Sequence, residues 1–365
     1  MLQIISGRLS VIFQLLTLFE QDDVMSIRAL SASLQSRYKI SGDIIEYHSI
    51  PVIFTVMIFA SVVAFGTAIG VVSYDINEMN PIFGELAIVW FCGLACQYIN
   101  LDGIGQIFKY ISIFFFSMIL SMMASLVLAK ACFPYIDSIL FRIDKIISFG
   151  TDWPALVRSI NSHENLSFLL NHAYMTLNWQ PFFIFIWFLA TDRKSTAWTI
   201  TSALSVGSFI CVILFPFTPA ISGFDFYGLS PKDIPNITVH STWAAIDLLQ
   251  DIRNGVVSEV SMTHLAGMIS VPSFHATAAI VLAWGYYQSR LLRWPFLLIN
   301  FVMLISTVPV GGHYFIDVVA GIFVGWLSIM FVNRWNAKRS DWQDMSATVR
   351  PASKWKLQSM PRSCT

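Results

Sequence analysis

The sequence predicts an all-α integral membrane protein, a polytopic helical bundle of about eight transmembrane helices. Three observations carry that expectation. Of 365 residues, 56% are hydrophobic and only 12% are charged, against roughly 25% charged in an average soluble domain. Mean hydropathy is +0.65. The apolar residues also gather into runs near the ~20 residues that cross a hydrocarbon core as a helix. These features exclude a disordered chain and argue against an ordinary soluble enzyme. Lys+Arg and Asp+Glu number 22 each, so no basic surplus points to nucleic acid. Gly-rich nucleotide-binding signatures do not occur. The five cysteines form no C-x-x-C and read as packing residues.

Each segment follows from this pattern in turn. Residues 1–49 form an N-terminal cytoplasmic or interfacial segment. Its apolar run, Leu9–Phe19, is too short to span and lacks a small-residue cleavage site, so it reads as an interfacial or core-packing helix and not a cleaved signal. Residues 50–130 hold three accessory spans, Pro51–Ser73, Ile82–Ile99 and Ile107–Ala129. Residues 131–333 form a second membrane domain. It opens with Pro134–His172, where Ile136, Ile139, Leu140, Ile143, Ile146 and Ile147 recur at helical spacing. That predicts a helix lying along the membrane surface on an apolar face. The spans Tyr174–Ala190 and Thr196–Phe217 follow. Thr218–Pro272 is Pro/Gly-rich, then helical around Ala244–Val257, and its length suits a lid or binding segment. Ser273–Gln288, Trp294–Val310 and Tyr314–Val332 complete the bundle. Residues 334–365 are a basic cytoplasmic tail.

Charge orients the spans. The tail holds Arg334, Lys338, Arg339, Arg350, Lys354, Lys356 and Arg362 against Asp341 and Asp344. Arg290 and Arg293 separate two spans, Arg193 and Lys194 two others, and Arg8, Arg28, Arg37 and Lys39 precede the first. Cytoplasmic loops are enriched in Lys and Arg, and eight spans put all four segments on that side. The loop Asn100–Gln106, expected on the same side, carries neither.

Ionisable residues at the membrane edge are functional candidates, because they are costly to keep there. Two groups stand out. Val271-Pro272-Ser273-Phe274-His275-Ala276 begins one span. Gly311-Gly312-His313-Tyr314-Phe315-Ile316-Asp317 begins another, and both open at the non-cytoplasmic face. His313 and Asp317 are four apart and would share one helix face. A carboxylate that accepts from one imidazole nitrogen fixes the tautomer and frees the other as nucleophile or base. Ser273 and Phe274 sit where a helix N-terminus offers N–H groups to an anion such as a phosphoryl group. Alone, the His–Asp pair fits a packing contact between helices equally well. The second helix start, with His275 on the same side, favours chemistry.

These strings resemble the second and third motifs of the type 2 phosphatidic acid phosphatase superfamily, P-S-G-H and S-R-x5-H-x3-D. Here they read Pro272-Ser273-Phe274-His275 and Ser306-Thr307-x5-His313-x3-Asp317. The sequence is most similar to the inositol phosphorylceramide synthase-like, or inositolphosphotransferase-like, branch. His313-Tyr314-Phe315-Ile316-Asp317-Val318-Val319-Ala320-Gly321, Phe215-Pro216, Tyr227-Gly228-Leu229 and Asp152-Trp153-Pro154 carry that likeness. The resemblance covers roughly 134–332.

It implies a membrane enzyme that passes a phosphoryl or phospho-headgroup from a phospholipid or sphingolipid-type substrate to an alcohol. His313 would be the nucleophile, Asp317 its partner and His275 the general acid, with Ser273 and Phe274 at the phosphate. No metal and no cofactor is implied, and the bilayer is the expected partner. The sequence departs from the superfamily in two places. The first motif, K-x6-R-P, is absent, and Thr307 replaces the Arg of the third. Fewer cations suit a monoanionic diester better than a dianionic monoester. Arg253, Lys232, His240 and His264 are candidate substitutes. Two other readings stand beside the transferase: a lipid phosphate phosphatase, and a non-catalytic transporter or scaffold. A transporter would be expected to show inverted repeats, and none is evident.

Overall fold

Helix α1 (Ile50–Ala68) is apolar on every side, so it needs packing on one face and lipid on the other. The computed structural model describes residues 47–130, 133–238, 240–257, 259–261 and 271–348. In it Val52, Thr55, Phe59 and Val63 are buried at three- and four-residue spacing, while Phe54, Met57 and Phe65 are each more than 60% exposed. That outward apolar face is what a helix in lipid requires. Strand β1 (Ser73–Tyr74) leads into α2 (Ile76–Tyr98), whose start is capped by Asp75 accepting the Asn77 and Glu78 N–H groups. Helix α3 (Asp102–Ala129) packs against both α1 and α2.

Helix α4 (Asp137–Ile147) has the helical period that its isoleucines predict. Its isoleucines do turn outward, with Ile139 and Ile146 exposed. The inner face, however, is carried by Leu140 between two buried carboxylates, Asp137 and Asp144. Helix α5 (Trp153–Asn161) is capped by Asp152. Helix α6 (Glu164–Met175), a 3-10 turn over Thr176–Asn178 and α7 (Gln180–Ala190) form one interrupted path. Helix α8 (Lys194–Leu214) follows and packs on α1 and α3. The loop beyond it carries the short α9 (Gly223–Phe226), α10 (His240–Asn254) and β2 (Glu259–Val260), which pairs in parallel with β1. Helices α11 (Phe274–Tyr287), α12 (Arg293–Ser306) and α13 (Phe315–Thr348) complete the bundle. The Leu9–Phe19 segment, the N-terminal basic residues and the tail beyond 348 lie outside the described residues.

Eight spans were expected. Among the described residues, five helices are long and apolar enough to cross a membrane: Tyr47–Ala68, α2, α3, Lys194–Phe217 and Phe315–Lys338. Helices α7, α11 and α12, with 11, 14 and 14 residues, fall short. The chain breaks at these places for local reasons. Helix α11 starts at the Ser273 cap, α12 ends before the 311–313 turn, and the α6–α7 path is interrupted at Thr176–Asn178. A helix break away from water is tolerated only where neighbours satisfy the freed backbone groups. Here the Tyr286 and Tyr110 hydroxyls donate to the carbonyls of Gln180 and Pro181, at 3.2 and 2.8 Å. The Gln180 side chain donates to Thr176 Oγ1 and accepts from Asn300.

Helices α11 and α13 cross at Gly321. A Cβ there would strike the Ser273 carbonyl and the Ala276 side chain, so only glycine permits this approach. The Thr277 hydroxyl donates to the Gly321 carbonyl at 2.9 Å across the same crossing.

Candidate active site

His313 does not stand on a helix. Helix α13 begins at Phe315, so His313 lies in the turn that approaches it. Asp317 is the third residue of α13, and its Oδ2 reaches back to the Tyr314 N–H at 3.0 Å. This is the backward half of a capping box, which satisfies an otherwise orphaned helix-end donor. The same oxygen lies 3.4 Å from His313 Nδ1, a long contact of the kind that tightens when substrate binds. Asp317 is fully buried and His313 nearly so. With Nδ1–H directed to the carboxylate, Nε2 is the free nitrogen.

The His313 turn is held from three sides. The Trp153 indole N–H donates to the His313 carbonyl at 3.1 Å. The Ser222 hydroxyl and the Gly223 N–H both donate to the Gly312 carbonyl, at 3.1 and 2.7 Å. Gly312 has a φ of 69°, and a Cβ there would meet Ser222 and Phe224. The two motif strings are also bonded to each other, because the Ser273 N–H donates to the Asp317 carbonyl at 3.1 Å.

His275 sits in the first turn of α11, its ring stacked on Tyr174 with centroids 3.8 Å apart. Ser273, expected at the phosphate, is fully buried, and its hydroxyl caps α11 by accepting the Ala276 N–H. Phe274 and His275 reach the same cavity as His313. That cavity has a volume of about 610 Å³. Ser222, Gly311 and Gly312 line it beside the histidines, and it extends to α3, α8 and α10.

No Lys or Arg lies on the wall of this cavity among the described residues. Thr307 turns its hydroxyl back to the Leu304 carbonyl. Arg253 stacks on Tyr135 and donates to the Phe133 carbonyl. Lys232 is exposed in its loop. His240 opens α10, and His264 lies outside the described residues.

Two carboxylates that no local motif marks complete the frame. Asp144 accepts the Phe315 and Ile316 N–H groups at 2.8 and 2.9 Å, capping α13 from another element. Asp137 accepts the Tyr314 hydroxyl at 2.9 Å and the Ile221 N–H at 3.2 Å. Burial pushes both carboxyls above their ordinary range, and these hydrogen bonds pull them part of the way back. Trp153 belonged to a stretch quoted from the sequence. Tyr174, Ser222, Asp137 and Asp144 gave no local signal.

Helices long and apolar enough to cross a membrane make this a multi-pass membrane protein. A family model described as the PAP2 superfamily matches residues 139–331, more than half of the chain. The chain belongs to the PAP2 superfamily, whose members are generally phosphatase-type enzymes. No curated protein and no solved structure matches it.

Proposed function

We propose that the protein is a membrane phosphotransferase that moves a phosphoryl or phospho-headgroup from a phospholipid or sphingolipid-type donor to an alcohol. This places it with the inositol phosphorylceramide synthase-like members of the superfamily. One observation carries the reading: His275 and His313 face a common cavity whose described wall holds no Lys or Arg. A dianionic monoester would be poorly neutralised there, whereas a diester brings a single charge.

In the proposed reaction His313 Nε2 attacks phosphorus, and the bond to the leaving oxygen breaks. His275 gives its proton to that oxygen. Asp317 holds the Nδ1 proton and stabilises the charged phosphohistidine. The acceptor alcohol then loses its proton to His275, its oxygen bonds to phosphorus, and the P–N bond breaks. Proton transfer of this kind contributes about 10²–10⁴-fold. The site faces the non-cytoplasmic side, and the C-terminus is cytoplasmic.

The test supplies purified protein with a lipid extract, with and without added alcohols, and identifies products by mass spectrometry. Headgroup transfer to the alcohol is the expected result. Faster release of phosphate from phosphatidate would assign a lipid phosphate phosphatase. No turnover of any lipid would leave a non-catalytic scaffold.

A further inference from the structure

We propose that the part of the cavity walled by α3 and α8 binds the hydrogen-bonding backbone of the lipid substrate, its ester, amide or hydroxyl groups. Specificity for the lipid would then lie partly in α3, outside the region that matches the family. The proposal rests on the phosphotransfer reading for its substrate class.

The cavity's size points this way. At ~30 Å³ per water, the volume of about 610 Å³ equals roughly twenty waters, far more than a phosphoryl group fills. One side of it carries Ser117, Ser121 and Ser125 of α3 at four-residue spacing, with Ser205 and Ser208 of α8 opposite. The aromatic and aliphatic neighbours Phe114, Met118 and Met122 share that wall. Hydroxyls among apolar side chains suit a lipid whose polar backbone continues into hydrocarbon.

The hydrogen bonds leave this ladder with unused capacity. Ser121 and Ser208 are 2.9 Å apart, so one donates to the other. The second hydroxyl proton of that pair has no acceptor among the described residues. Ser125 is fully buried and donates to the Met122 carbonyl, so it closes the wall behind Ser121. Ser205 is 2.8 Å from Thr55, whose own proton goes to the Val52 carbonyl, and only 3.4 Å from Ser117. Ser121 is 8% exposed, so the spare hydroxyl proton of its pair with Ser208 is largely shielded from water yet open to a ligand in the cavity. A lipid amide or hydroxyl can both donate and accept. An ester carbonyl can take the free proton.

The experiment has a catalytic arm and a binding arm. Ser121→Ala/Ser208→Ala and the hydroxyl-retaining Ser121→Thr are compared on a long-chain phospholipid and on a water-soluble aryl phosphodiester. We expect about a tenfold rise in lipid KM for the double alanine variant. The soluble diester should react at the wild-type rate, and Ser121→Thr should restore lipid KM. Equal losses on both substrates, or no change on either, would overturn the site. Binding is read separately in His313→Ala, with photoactivatable diacylglycerol and ceramide probes mapped by mass spectrometry. Label from either probe on residues 114–125 supports the site, and the stronger one identifies the backbone. Label confined elsewhere overturns it. Label on α3 without turnover of any lipid would retain the site and reject the phosphotransfer reading.

Discussion

At the scale of single residues, the site rests on one carboxylate that does two jobs. Asp317 Oδ2 meets both His313 Nδ1 and the Tyr314 N–H, so orienting the proposed nucleophile and starting the helix are the same act. His313→Ala should abolish turnover and acid-labile phosphate incorporation while the protein stays folded, because no neighbouring group replaces Nε2. Asp317→Asn keeps one acceptor oxygen and the shape of the turn. Its rate should fall roughly 10- to 100-fold, as when other imidazole-orienting partners are lost. Both are measured by product formation with matched detergent melting curves. Trp153→Phe removes the donor to the His313 carbonyl and leaves the ring stack on Tyr227 possible. It should cost about 1 kcal/mol of stability and lower kcat more than it changes KM, since the histidine turn loses a restraint. Unchanged kcat would show that the turn holds itself.

Among the elements, α13, which carries Asp317, is anchored by α4. Asp144 occupies the two N–H groups that α13 cannot satisfy internally. Asp144→Ala should therefore destabilise by about 0.5–2 kcal/mol, the range for a lost N-cap, and reduce activity with it. Differential scanning fluorimetry in detergent and kinetics on one preparation check both parts. Gly321→Ala pushes α11 from α13 at the Ser273 carbonyl. Overpacking of that kind costs typically about 1–3 kcal/mol, and it separates the two histidine segments. These contacts explain what the sequence could and could not disclose. His275, His313 and Asp317 lie in short strings whose spacing is itself the chemistry. Asp137 and Asp144 act on residues 177, 171 and 172 positions away, so nothing near them in sequence marks their role. The helical period of α4 was readable. Which face it buries was not, because paired carboxylates outweighed isoleucines that lipid can cover. Nothing local in the sequence marks Ser117 and Ser121, because the α8 hydroxyls that meet them are 88 and 87 positions away.

For the whole molecule, the long apolar runs were legible because length and hydropathy alone define them. The short helices were overcounted as spans because apolar composition does not reveal where a helix breaks. The orientation drawn from basic residues makes a direct prediction. Lys354→Cys should react with an impermeant thiol reagent only after the membrane is opened from the cytoplasmic side, and Lys232→Cys should react from the other side. Equal accessibility from one side would reverse or dismantle the topology. The clasp between α4 and α13 has a further consequence for biosynthesis. Asp137 and Asp144 leave the ribosome well before Tyr314, Phe315 and Ile316, whose donors they require. Until that segment is made, the nascent chain carries Asp144 without either of its native donors and Asp137 with the Ile221 N–H but not the Tyr314 hydroxyl, and any chain truncated before Tyr314 keeps that defect permanently.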